Sequence, residues 1–397
     1  MSDRPPTFDT DAAVPVLGAE GGDQRPPSFR GLLLPVSLSV AVLGVILYVT
    51  WEPATFRDMA QHLNAGLLWL AFGAVGLRVL LGGSRLRYIS HGKLSLRHGI
   101  RGAVAWDFMS AVTPSAVGGA PLAAYFVAKD NDIPVGEATA ILLFSMLMDQ
   151  IWFAVSIPLI LVASAYIDVF PPALGAVGAG TLSAYFVGMM LWAVFFAYAT
   201  LIRPEILEKV ATAVVRLKWL RRFEGKVRRE LVQLRRQASV LRGQPPRFFV
   251  IGFVWSAGIW LTRYVTLLLV VLSVYPAVDA FTFLVRTGAM MLTAMAVPTP
   301  GGSGGIEGLF VLFLAPLISQ KGMIGPILLT WRLLSYHLFI AAGSVMTMFA
   351  IKRRFLRKNA PADEPNGDGW NETDAARVEP DPSPPDTAPH ARARHSA

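Results

Sequence analysis

Val297-Pro-Thr-Pro-Gly-Gly-Ser-Gly-Gly-Ile-Glu307 interrupts a long apolar region of the chain with two prolines, four glycines and a carboxylate. A helix cannot run through Pro298 and Pro300, because each lacks a backbone donor and its ring collides with the preceding turn. At membrane depth, broken backbone is tolerated only where it is buried in protein or lines a cavity. In transporters, paired breaks of this kind point to a binding site. A fainter copy lies upstream, at Val112-Thr-Pro-Ser-Ala-Val-Gly-Gly-Ala-Pro121.

The composition sets the surroundings of both breaks. Of 397 residues, 53% are hydrophobic and 16% charged, against about 25% charged in a soluble protein. The mean hydropathy is +0.48. Residues 31–50 and 170–202 carry no charge, and about 20 apolar residues suffice to cross a bilayer. The fold class expected is therefore an all-α polytopic membrane protein. There is no cysteine, which excludes disulfides, thiolate catalysis and Cys-ligated metals. The net charge of +9 is not a nucleic-acid footprint, because the basic residues cluster beside the apolar segments, as the positive-inside rule requires.

Residues 1–29 and the tail at 352–397 are polar and Pro-rich, too poor in large apolar residues to offset ordering entropy. Without a charged n-region before a short h-region, the segment from Gly31 reads as a retained first span rather than a cleaved signal. The transmembrane domain is placed at 30–351. Spans are expected near 31–50, 63–82, 135–165, 174–201, 248–275 and 323–351, with two re-entrant helical hairpins at 103–128 and 280–318. Arg85, Arg87, Lys93, Arg97 and Arg101 follow the second span. Residues 203–247 hold thirteen Lys/Arg against four Glu, and Lys352, Arg353, Arg354, Arg357 and Lys358 follow the last span. Six spans and two hairpins, with both termini cytoplasmic, put all three basic clusters inside. The hairpins then enter from opposite sides and define an inverted repeat. Ala111-Val-Thr-Pro114 against Ala296-Val-Pro-Thr-Pro300 supports it, as do Arg101 and Arg286 at 12 and 13 residues before Thr113 and Thr299. Within the basic loop, Val227, Leu231, Leu234, Ala238 and Leu241 recur at helical spacing among arginines. That pattern describes either a helix on an anionic leaflet or a connector held inside by its charge.

A charge at mid-membrane costs roughly 2.5–3.5 kcal/mol on insertion scales and requires a partner or a cavity. The candidates are Asp107, Asp149, Arg263, Arg286, Glu307 and Arg332. They either bind a ligand or pair with one another. Gly301, Gly302, Gly304 and Gly305 permit positive φ and close ligand approach, and the helix beginning there presents unpaired amides suited to phosphate. Glu307, three residues after Gly304, either caps those amides or contacts a headgroup. Thr113, Gly118 and Gly119 are the counterparts in the first break. No Gly-Lys-Ser/Thr follows the glycines, and no dinucleotide fingerprint is completed. Neither a cofactor nor a metal is expected.

The Pro-Thr-Pro-Gly-Gly-Ser-Gly-Gly-Ile-Glu segment, with Trp331-Arg332 about 25 residues later, resembles the membrane domain of the lysylphosphatidylglycerol synthetase (MprF-type) family. So does Thr113-Pro-Ser-Ala-Val-Gly-Gly-Ala-Pro121 ahead of the span containing Asp149. The likeness covers residues 30–351. It implies a lipid flippase in a bacterial cytoplasmic membrane, moving a phospholipid, aminoacylated or not, or a polyprenyl-linked lipid between leaflets. Only 46 residues follow the last expected span, too few for the family's aminoacyl-transferase domain, so the resemblance implies transport without synthesis. Where many relatives carry Glu-Arg, this chain has Met148-Asp149. The expected function is thus a non-enzymatic lipid translocase with no nucleic-acid partner. The alternatives are a membrane-embedded transferase or hydrolase using Asp107 and Asp149 on a polyprenyl phosphate, or a scaffold for a lipid synthase.

Overall fold

The computed structural model describes residues 63–113, 119–203, 239–297 and 302–346, with a few isolated positions besides. The first expected span, most of the basic loop, the tail, Gly118 and Gly301 lie outside these residues. All described segments belong to one compact unit within residues 1–346. They are helical: α1 Ala65–Ile89, α2 Leu96–Val112, α3 Gly119–Asp130, α4 Val135–Ala163, α5 Gly175–Ala197, α6 Pro246–Leu272, α7 Ala280–Ala294, α8 Gly305–Phe313 and α9 Ile324–Arg332. Beyond Arg332, α9 loosens into a wide turn at Leu333–His337 and then continues as helix to Met346.

Five helices among the described residues are long and apolar enough to cross a membrane: α1, α4, α5, α6 and α9, each counted with its short flanking turns. They correspond to five of the six spans expected from the sequence, with ends within five residues except that α1 runs on to Ile89, past the expected end at 82, and so carries Arg85 inside the helix. The distribution of burial explains why apolar composition here means lipid contact. Helix α5 buries only Phe186, Ala193 and Phe196 while Leu191, Trp192, Val194 and Phe195 stay exposed. On α1, Trp69, Leu70, Phe72, Leu77 and Leu80 face outward as well. A soluble protein rarely exposes so continuous an apolar surface. The chain is therefore an all-α polytopic membrane protein.

Local signals set the helix ends. The Asn64 side chain caps α1 by accepting from the Leu67 amide at 3.2 Å, and its own amide donates to the Ser273 carbonyl beyond the end of α6 at 2.8 Å. Asp279 caps α7 through the Thr282 amide at 2.9 Å. The Thr282 hydroxyl and amide together hold this exposed carboxyl below its ordinary range. Each proline-glycine stretch separates two shorter helices, α2 from α3 and α7 from α8.

Two apolar clusters build the core. One gathers Phe153, Ile157, Trp260, Tyr264, Phe283, Phe310, Phe313 and Trp331. The other gathers Leu86, Leu94, Val127, Ile141, Phe144, Leu147 and Phe248, and includes Leu241, the last apolar residue of the amphipathic pattern in the basic loop. Arg78 and Arg85 on α1, Asp149 and Gln150 on α4 and Ser256 on α6 fall along their helices between residues of the two clusters. Helices α1 and α2 approach closely at Gly83 and Gly99, where a Cβ on Gly99 would overlap the Gly83 carbonyl. Backbone cannot yield as a flexible side chain would. Gly99→Val is expected to lower the thermal midpoint in detergent by the equivalent of about 1–3 kcal/mol. An unchanged midpoint in a fluorescence-detected unfolding scan would contradict that contact.

Candidate functional site

Between the two clusters lies a cavity of about 300 Å³ with walls from α1, α2, α4, α6, α7, α8 and α9. Four arginines and two aspartates line it: Arg78, Arg85, Asp107, Asp149, Arg263 and Arg332. Helical periodicity explains how they converge. Arg78 and Arg85 are seven residues apart on α1, and Ser256, Trp260 and Arg263 recur at four and three on α6; both spacings keep residues on one face.

The charges are arranged as linked pairs. Arg78 Nη1 donates to both oxygens of Asp107, at 3.2 and 3.0 Å, and Arg263 Nη2 donates to Asp107 Oδ1 at 3.1 Å. Asp107 thus bridges two guanidinium groups. Arg85 Nη1 donates to Asp149 Oδ1 at 2.5 Å and to the Ser256 hydroxyl at 2.7 Å, while Trp260 Nε1 donates to the same Asp149 oxygen at 3.1 Å. The third pair, Arg332 Nε with Glu307 Oε1 at 2.9 Å, is the most deeply buried, with side chains 3% and 0% exposed. Burying charges is costly unless they are paired and hydrogen-bonded. Each cavity arginine also lies against an aromatic face: Arg78 on Phe339, Arg85 on Trp106, Arg263 on Trp260 and Arg332 on Tyr336, at 4.1–5.8 Å from the ring centroids. Such stacking contributes most where water is excluded.

The second break meets this site through its end. Gly304, at φ 83°, turns the chain into α8 in a conformation that favours glycine. Its amide donates to Glu307 Oε2 at 2.8 Å, so Glu307 caps the helix with one oxygen and holds Arg332 with the other. Ser303 donates to the Tyr336 hydroxyl at 3.2 Å, and that hydroxyl donates to the Ala111 carbonyl at 3.4 Å. Ala111 is the penultimate residue of α2, beside the first break. Tyr336 sits in the wide turn of α9, and such turns concentrate at functional positions. One side chain therefore links the residues flanking both breaks.

The residues singled out from the sequence distribute unevenly. Asp107, Asp149, Arg263, Gly302 and Arg332 line the cavity. Glu307 stands behind Arg332. Gly305 starts α8, with a Cβ there blocked by Val297, and Gly119 starts α3. Thr113 turns inward on its own helix, its hydroxyl donating to the Met109 carbonyl at 2.7 Å. Arg286 is away from the cavity lining. Its guanidinium donates to the Asp168 carbonyl at 2.6 Å and the Phe313 carbonyl at 3.2 Å, fastening α7 to a loop and to the end of α8. Sequence reasoning overlooked Arg78, although it stands alone in the apolar run of α1. It also assigned Arg85 to the basic loop, where the structure buries that residue at 6% exposure. Tyr336, Trp106 and Gln150 gave no signal, since aromatic and amide residues are ordinary in such helices.

Residues 36–343 match the family model described as the lysylphosphatidylglycerol synthase transmembrane region. A protein of Archaeoglobus fulgidus described as "UPF0104 membrane protein" is 21% identical over 338 residues, covering 82% of this chain and 99% of that protein.

Proposed function

Because the chain belongs to the lysylphosphatidylglycerol synthase transmembrane-region family, we propose that it is a lipid translocase, moving a phospholipid or related lipid between leaflets without changing it chemically. The observation that carries this reading is the charged cavity between helices that otherwise present apolar surface to lipid. A headgroup that crosses a bilayer needs a polar path, and intramembrane charges mark such paths. In this reading α2–α3 and α7–α8 are re-entrant hairpins of an inverted repeat, and Tyr336 ties the two halves in one state of an alternating-access cycle. The basic loop and the basic residues after the last span support a cytoplasmic side for both termini.

The test is leaflet exchange in proteoliposomes of defined phospholipid, with an acyl-labelled lipid quenched from outside. The wild-type protein equilibrates the label across both leaflets. Arg263→Ala is expected to slow that exchange by at least about tenfold, because one cationic contact for the phosphate is lost, while the thermal midpoint stays near wild type. Recovery of chemically altered lipid from the vesicles would sink the reading in favour of an embedded transferase or hydrolase.

A further inference from the structure

The net charge of the cavity wall narrows the class of lipid it can hold, an inference that rests on the translocase reading. Among the described residues, four guanidinium groups meet three carboxylates: Arg78, Arg85, Arg263 and Arg332 against Asp107, Asp149 and Glu307. The surplus is one positive charge. The neighbouring sequence at 114–118 and 298–301 contributes no charged residue that would alter it. Every one of the three carboxylates is already engaged by arginine, so an incoming ammonium group finds no uncommitted anion. The arginines are not equally committed. Arg78, Arg85 and Arg332 have side chains 3–7% exposed, whereas Arg263 is 36% exposed. Buried polar atoms without partners on residues of the cavity wall include Nε of Arg85 and Arg263, the Ser335 hydroxyl and Gln150 Oε1. The two guanidinium Nε groups are charged donors and suit an anion, the hydroxyl can donate or accept, and the Gln150 oxygen is a neutral acceptor that carries no charge to offset the surplus.

We propose that the cavity selects a lipid whose headgroup is a monoanionic phosphodiester without an amino-acyl group, and discriminates against the cationic aminoacylated form of the same lipid. The monoanion neutralises the surplus charge. A lysyl ester, with two ammonium groups against one phosphate, would double it in a poorly screened site. Arg263 is the group that meets the phosphate, and Asp107 fixes its position.

Two measurements on the full chain in detergent and in proteoliposomes test this. Binding is read by native mass spectrometry, with phosphatidylglycerol competing against lysylphosphatidylglycerol and with glycerol phosphate as a soluble control. The expected preference for phosphatidylglycerol is at least about tenfold. Glycerol phosphate competing as well as the lipid would assign the site to a free anion and overturn the lipid assignment. Arg263→Gln is expected to abolish the preference, and Arg263→Glu, which makes the surplus negative, to invert it. Equal or stronger binding of the lysyl ester by the wild type would overturn the charge assignment. Leaflet exchange of the two lipids is then compared. If neither moves but the binding preference holds, translocation fails while the headgroup class stands; if both move equally with no preference in binding, the headgroup class fails while translocation stands.

Discussion

Arg332→Ala and Glu307→Ala are each expected to destabilise the protein by about 3–5 kcal/mol, because removing one member of a buried pair strands the other. No other ion pair among the described residues is so fully enclosed: Nε to Oε1 at 2.9 Å, with side chains 3% and 0% exposed. The two losses have different content. Without Arg332, Glu307 retains the Gly304 amide as a donor, but a carboxylate facing apolar surroundings loses its counter-ion. Without Glu307, the Gly304 amide at the start of α8 is orphaned and Arg332 keeps the Tyr336 face at 4.1 Å. An apolar replacement of both, Arg332→Met with Glu307→Leu, removes the stranded charge and should recover much of the loss. The measurement is a double-mutant cycle on unfolding in mixed micelles followed by tryptophan fluorescence. Additive losses in the double variant would show that the two side chains do not act as a pair.

That pair also shows what the sequence could and could not disclose. A charge inside an apolar run is visible in one dimension, which is how Asp107, Asp149, Arg263, Glu307 and Arg332 stood out. The depth of a residue along its helix is likewise readable, and four spans follow from length and composition to within five residues, whereas the arginines after residue 82 hid the last turns of α1. Which face a side chain takes, and what it finds there, depends on neighbours far away in sequence. Arg286 illustrates the failure: its guanidinium reaches backbone carbonyls at 168 and 313, acceptors that every residue possesses and no motif announces. Arg85 illustrates the opposite failure. It stands next to a basic loop, so the positive-inside rule absorbed it, yet its spacing of seven from Arg78 placed both on one face. From sequence alone the glycine-rich break reads either as an anion cradle or as a run of amides capped by Glu307. The structure places a Glu307 oxygen on the Gly304 amide, so that amide is already taken, and the positive charge facing the cavity belongs to arginine side chains.

Asp107→Ala is the substitution expected to disturb the cavity most. Asp107 separates Arg78 from Arg263, accepting from the first at 3.0 Å and the second at 3.1 Å. Arg78 is 6% exposed and would lose its only carboxylate among the described residues, while facing a second guanidinium across the gap. The expected loss of stability is about 2–3 kcal/mol, smaller than for the Arg332–Glu307 pair because Asp107 is 24% exposed and its neighbour Arg263 can turn toward the cavity. Asp107→Asn separates charge from shape. The amide keeps a polar acceptor between the arginines, so folding survives, but the surplus of the cavity rises from one positive charge to two. Binding of an anionic phospholipid should then tighten by about tenfold, and leaflet exchange should slow, because a headgroup held more firmly leaves more slowly. Tighter binding with slower exchange is the combination a merely structural aspartate would not produce. Weaker binding together with slower exchange would mean that Asp107 only holds the helices in place.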